Sequence, residues 1–129
     1  MTIEANKQLV RRAIDEVFNA GDLSAVDVVY GPGYAEHEHA FAGLIRGAFP
    51  DLRLEVEHLV AENDLVCTRW RAYGTHAGAF LGIEPTGRHA SWTGTWIQRV
   101  ADGRIVEGQD WGNWDATGLV AQLSGTAAR

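Results

Sequence analysis

The stretch GYAEHEHAF sets Glu36, His37, Glu38 and His39 side by side. Each of these side chains can ligate a metal or move a proton. If the piece around Tyr34–His37 is extended, His37 and His39 point to one side and the two glutamates to the other. Two histidines at i and i+2 supply two metal positions, and a closed or catalytic site needs at least one more ligand. No H-E-x-x-H pattern and no second cluster follows, which leaves His58 and Asp110 as the residues that could converge. The residues alone thus leave two readings open, a metal site or a polar pocket.

Other chemistry-bearing residues have simpler expectations. Asp115 precedes an apolar helical run and fits a helix N-cap. His76, in GTHAG, suits a turn, and His89 suits the exposed start of a strand. Arg69 and Arg71 alternate with apolar residues and belong to the outer face of a sheet. Cys67 is the single cysteine, so an intramolecular disulfide and a cysteine-based zinc site are excluded for one chain. The five tryptophans are core, interface or pocket residues.

Composition bounds the setting. A chain of 129 residues, 46% apolar and 22% charged, supports one domain with one hydrophobic core. We expect residues 1–129 to form that domain, with its core at about 5–125. Net charge is −6 with no Lys/Arg cluster. Nucleic acid and acidic membrane surfaces need a concentrated basic footprint, so neither is an expected partner. No apolar run is long enough to span a bilayer. MTIEANKQLVRR lacks the apolar core of a secretory signal, so the expectation is a cytoplasmic protein.

The elements that must position these residues are legible from periodicity. Val10, Ile14, Val17 and Phe18 form one helix stripe that ends at Gly21. Asp22 caps a short second helix with Leu23, Val26 and Val29, and Gly31-Pro32-Gly33 breaks it. After the extended piece, a small helix from about Ala40 to Phe49 is closed by Pro50. The period then becomes two. Leu52, Leu54 and Val56 mark a first strand, and Asn63-Asp64 a turn. Leu65–Gly74 is a second strand and Gly82–Gly87 a loop. Arg88–Val100 is a third strand, Ala101-Asp102-Gly103 a hairpin turn, and Arg104–Trp111 a fourth strand. Leu119, Val120 and Leu123 mark a last helix. Helices first and hairpin-linked strands second predict an α+β fold with helices packed on an antiparallel sheet.

NKQLVRRAIDEVFNAGDL, AFPDLRLEVEHLVAENDLV, YGTHAGAFLGIEPTGR and DGRIVEG followed by WDATGLVAQL resemble the SnoaL-like polyketide cyclases. These share the cone-shaped α+β fold of nuclear transport factor 2. Ketosteroid isomerase, scytalone dehydratase and limonene epoxide hydrolase are similar relatives. The resemblance implies a curved sheet around a deep apolar pocket closed by the N-terminal helices, and a homodimer. It also implies cofactor-free chemistry on a hydrophobic small molecule, such as aldol cyclisation of an aromatic polyketide ester. The family's acid/base aspartate falls on Asp110. Its frequent histidine partner falls on Trp96, a departure from the pattern. The QDWGNWD run is longer than usual. The segment after His39 is shorter than usual, which implies a more open pocket mouth.

The match at Trp96 selects Ala90, Trp92, Gly94, Trp96 and Gln98 as the inward face of the third strand. Val66, Thr68, Trp70 and Ala72 form the inward face of the second. If Asp110 faces in, so do Val106 and Gly108, with Ile105 and Glu107 outward. The expected site is Asp110 and His37 as catalytic groups, with Trp70, Trp92, Trp96, His58 and Tyr34 around the substrate and no metal or cofactor. Burial against indole rings would raise the Asp110 pKa towards a value suited to proton exchange. Two other readings compete: an epoxide-opening enzyme with an Asp-Arg-Asp set, and a non-catalytic small-molecule-binding dimeric module.

Overall fold

The computed structural model describes residues 2–108 and 113–125. Helix α1, Ile3–Arg12, is capped by the Thr2 hydroxyl, which accepts from Ala5 N–H at 3.0 Å. It continues without a break into a π-helical stretch, Ala13–Asn19. The predicted stripe holds: Val10, Ile14, Val17 and Phe18 are all buried. After Gly21, at φ 72°, Asp22 caps a 3₁₀ turn at Leu23–Ala25, followed by α2, Val26–Val29.

Gly31-Pro32-Gly33 ends α2 but does not open an extended piece. It starts helix α3, Pro32–Ala48, with proline in the first turn. Proline there has no intrahelical bond to lose, and its φ is already helical. The alanine-rich run that follows propagates the helix until Phe49, which precedes Pro50. The expected strand at Tyr34–His37 and the expected start at Ala40 are therefore both corrected. The segment thought to leave the pocket mouth open is the middle of α3.

The sheet consists of β1 (Arg53–Glu62), β2 (Leu65–Thr75), β3 (His89–Ala101) and β4 (Arg104–Glu107) in that order, all antiparallel. A short β5, Asn113–Trp114, also pairs with β3. The β1–β2 and β3–β4 turns place Asn63 at φ 55°, and Asp102 and Gly103 at 52° and 74°, the left-handed backbone such hairpins need. Helix α4, Ala116–Leu123, closes the chain on Asp115, whose carboxylate accepts from Gly118 N–H at 2.9 Å, as expected for an N-cap.

Two irregularities of pairing set which residues face the helices. Val56 pairs with Trp70 but His58 pairs with Arg69, so Glu57 is the extra residue of a bulge. The bulge turns Leu59 inward and His58 out. On β4, Val100 pairs with Ile105 and Arg99 with Glu107, so Val106 is the extra residue there. Ile105 is consequently fully buried, against the expectation that it faces away. The long β2 and β3 keep the predicted parity: Val66, Thr68, Trp70, Ala72, Ala90, Trp92 and Gln98 are buried.

The helices are tied to the concave side of the sheet by polar clasps. The Asn19 amide donates to the Leu54 carbonyl at 3.0 Å and accepts from Leu54 N–H at 2.6 Å. The Arg46 guanidinium donates to the carbonyls of Phe18, Asn19 and Leu52. These bonds fix the end of the π-helix and α3 over the start of β1.

Candidate functional site

Between the helices and the sheet lies an apolar cavity of about 40 Å³. Its helical wall is Phe18, Phe41 and Ile45; its sheet wall is Leu52, Leu54, Trp70, Trp92, Trp96 and Trp114. The rings form a nearly continuous surface. Phe18 packs on Phe41 at 6.1 Å and on Trp96 at 5.4 Å, and Trp96 packs on Trp70 at 5.5 Å. At the other end Phe49 packs on Trp92 at 4.9 Å and on Phe80 at 5.7 Å. Offset and tilted arrangements of this kind suit a flat, polycyclic ligand. The volume accommodates about three waters, so a ligand of several rings enters only if side chains move. Trp70 Nε1 is buried in this wall with no acceptor in the protein. Its N–H has one hydrogen bond to donate.

Each predicted site residue has a definite place, Asp110 excepted. Trp70, Trp92 and Trp96 line the cavity as expected. Asp110 lies outside the described residues. His37 is exposed on α3, its ring stacked on Tyr34 at 5.5 Å, and is not part of the cavity wall. The reason is the helix itself: successive residues are turned by about 100°, and those two apart by about 200°, so with Glu38 on the buried side the histidines flanking it turn away in different directions. The same geometry separates His37 from His39, which pairs with Asp27 at 3.3 Å. His58 is exposed on the outer face because of the bulge at Glu57. Tyr34 is buried beside Tyr30, 5.7 Å between rings, and is absent from the cavity wall. Among the described residues no group of three His, Cys, Asp or Glu side chains is arranged to hold a metal.

The remaining polar residues take structural posts. His76 is fully buried in the turn after β2; its Nδ1 accepts from Thr86 N–H at 3.2 Å, which places the ring proton on Nε2. Arg69 and Arg71 pair with Glu57 at 3.4 and 3.2 Å on the outer face.

The residue that sequence reading missed is Glu38. It is 6% exposed. Burial pushes its pKa up to about 7, partly offset by a hydrogen bond from Tyr34. Burial first, and then the Glu38 carboxylate and Tyr34, push the Tyr30 phenol well above its ordinary value. A carboxyl that titrates near neutrality can both give and take a proton under ordinary conditions. The signal was present in the spacing Tyr34, Glu38, Phe41, Ile45, one helical stripe, but a strand reading of EHEH hides it.

A curved antiparallel sheet with helices folded over an aromatic cavity defines the cone-shaped α+β class of nuclear transport factor 2. TsrD from Streptomyces laurentii has the same fold, with a TM-score of 0.89 and 26% identity over 98% of each chain. AclR, a hydroxylase candidate from Streptomyces galilaeus, follows at 0.86 and 28%, covering 96% of this chain and 83% of its own. Within that class the family model of the SnoaL-like polyketide cyclases matches residues 8–123, and the chain belongs to that family. Nogalonic acid methyl ester cyclase of Streptomyces nogalater is 32% identical in an alignment 114 positions long that covers 78% of this chain and 85% of the relative. No helix among the described residues is long and apolar enough to cross a membrane.

Proposed function

We propose that the protein is a cofactor-independent cyclase or isomerase acting on a hydrophobic, polyketide-derived or polycyclic substrate. The observation that carries this reading is the cavity walled by Phe18, Trp70, Trp92 and Trp96 in a chain of this family. Its rings hold a flat substrate by stacking, and the free Trp70 N–H offers a bond to a carbonyl oxygen. Asp110 takes a proton from the carbon beside a carbonyl. The resulting enolate attacks a second carbonyl carbon, forming the ring bond, and the proton goes to the new alkoxide oxygen. In an isomerisation the same proton returns to a different carbon. Arg69 and Arg71 are engaged by Glu57 on the opposite face, which weakens the epoxide-opening reading.

The outer face carries Tyr73 and Val60, 39% and 59% exposed, beside Cys67 and Arg69. In this reading it packs against a second copy of the chain.

The test is a tryptophan-fluorescence titration with anthraquinone-type polyketides, steroid enones and terpene epoxides, on wild type and Asp110→Asn. Selective quenching by one class in both proteins, with product only from wild type, supports the enzyme. Unchanged behaviour of Asp110→Asn in every assay supports a binding module. Turnover of an epoxide alone supports the epoxide-opening reading.

A further inference from the structure

Residues 76–88 carry the chain from the end of β2 to the start of β3, and Thr75 and His89 at their two ends pair in the ladder. The stretch contains no helix or strand apart from one tight turn, in which Phe80 and Ile83 exchange backbone bonds of 3.0 and 2.9 Å. Irregular connections of this length in a compact domain are commonly binding loops or lids. Backbone bonds fasten the neck. His76 N–H donates to the Arg88 carbonyl and Gly87 N–H to the His76 carbonyl, while Ala77 and Gly78 N–H donate to the carbonyl of Ala48 at the end of α3. Beyond the neck, residues 79–86 make no backbone–backbone bond to the rest of the described protein. Two buried side chains hold them.

The first is Phe80, the one buried residue between 77 and 88. Its ring packs on Phe49 at 5.7 Å and on Trp114 at 6.4 Å, and Phe49 packs in turn on Trp92 at 4.9 Å. Trp92 and Trp114 line the aromatic cavity, so Phe80 backs that end of its wall. The second is His76, fully buried, whose Nδ1 lies 3.2 Å from Thr86 N and 3.0 Å from the Thr86 hydroxyl. Thr86 N–H donates there, so Nδ1 must keep its lone pair and the ring must be neutral.

A second proton would sit on Nδ1 against Thr86 N–H and place a cation in a buried site. Nε2 has no acceptor in that site. No charge compensates: Asp51 and His89 bond the Thr75 hydroxyl, the Arg88 guanidinium lies against Gly125, Glu84 is exposed, and Phe49 brings none. An unpaired buried charge is strongly disfavoured. Once residues 79–86 lift, the ring meets water, where a histidine titrates near about 6.5. The closed form excludes the proton and the open form takes it, so acid draws the protein towards the open form.

We propose that residues 79–86 form a strap closing the Trp92–Trp114 end of the aromatic cavity, and that the His76–Thr86 contact is its acid-released latch. Opening withdraws Phe80 from Phe49 and Trp114. The latch stands on these contacts alone; only its use in admitting substrate rests on reading the cavity as the substrate site.

The test is NMR on the ligand-free protein from about pH 8 to about pH 5, the range in which an exposed histidine titrates. It reads hydrogen exchange at the Thr86 amide and the indole N–H resonances of Trp92 and Trp114. Corrected for its intrinsic rate, Thr86 exchange is expected to rise about tenfold for each pH unit below about 6.5, with both indoles shifting in step. His76→Asn offers Thr86 an acceptor and has no proton to gain, so the rise is expected to vanish. His89→Gln is expected to keep it. Glu38 titrates in the same range but is present in all three proteins, so their differences isolate the His76 ring. Thr86→Val, at an exposed position, removes one donor to Nδ1 and is expected to speed exchange of amide 86 at every pH. A flat wild-type profile, a rise that survives His76→Asn or disappears in His89→Gln, or unchanged exchange in Thr86→Val overturns the latch. Rising exchange with unmoved indoles overturns the strap's place at the cavity. None of these readings uses a ligand, so a failure of the proposed substrate class leaves them intact.

Discussion

Trp70 stands directly opposite Gly94 in the β2–β3 ladder, and its ring lies where a side chain at position 94 would begin. A Cβ there would overlap the six-membered ring of the indole. This glycine is a packing requirement: the sheet wall of the cavity exists because β3 has no side chain at that point. Gly94→Ala is expected to push Trp70 out of place, costing about 1–3 kcal/mol, and to abolish ligand quenching. Gly94→Ala combined with Trp70→Phe is expected to recover part of the stability, since the smaller ring vacates the space. A denaturant-melt double-mutant cycle measures this coupling. Additive costs would mean that the ring and the glycine are independent.

The buried Glu38 makes stability depend on pH in an unusual sense. Its folded pKa of about 7 lies above the ordinary carboxylate value of 4.5, so the folded state holds the proton more tightly than the unfolded chain. Its contribution is fully present below about pH 4.5, declines as pH rises towards 7, and is absent above that. The span corresponds to about 3 kcal/mol. Asp51 and Glu57, whose pKa values are lowered, act oppositely and at lower pH. The clean readout is therefore the difference between wild type and Glu38→Gln. Urea melts from pH 4.5 to 8 are expected to show the variant gaining on wild type as pH rises. A difference that stays constant would show that Glu38 titrates normally.

What the sequence made legible follows from how local each determinant is. The alternation along β2 and β3 depends only on period two, and together with the family resemblance at Trp96, which selects the inward face, it points to Trp70, Trp92 and Trp96 as cavity residues. The caps at Asp22 and Asp115 and the hairpin at Asp102-Gly103 are equally local. The bulges at Glu57 and Val106 are not, because they arise from pairing with a neighbouring strand, and they reversed the facing of His58 and Ile105. The EHEH run was misread for a different reason. Gly-Pro-Gly reads as a break, yet proline after glycine equally opens a helix, and the helix places Glu38 inside and His37 outside, the reverse of a strand.

Asn19 offers a test of how the helices are held over the cavity. Its amide makes both backbone bonds that a neighbouring strand would make to Leu54. Asn19→Ala leaves a donor and an acceptor without partners at the start of β1, at an expected cost of about 1–3 kcal/mol. Asn19→Asp keeps the acceptor for Leu54 N–H and loses the donor, so it is expected to fall between the two. Thermal melts of the three proteins rank them. Equal stability of Asn19→Ala and wild type would mean that Arg46 alone, with its bonds to Phe18, Asn19 and Leu52, secures this corner.

The size of the cavity bears on the kinetics of binding. At about 40 Å³ it holds a few waters, and its walls are rings in mutual contact rather than an open cleft. A polycyclic ligand must displace some of these rings before it can seat. Phe41, Trp96 and Trp114 are the partly exposed members of the wall, and they are the rings that can turn outwards with the least loss of packing. Binding then includes an opening step whose rate does not depend on ligand concentration. Stopped-flow quenching with a polycyclic ligand is expected to give an observed rate that levels off as concentration rises. Trp96→Ala removes one of the two partly exposed indoles and is expected to raise that plateau, while weakening equilibrium affinity through lost stacking. A rate that climbs linearly in wild type over the whole accessible range would mean that ring displacement is fast, and that the closed wall presents no barrier to entry.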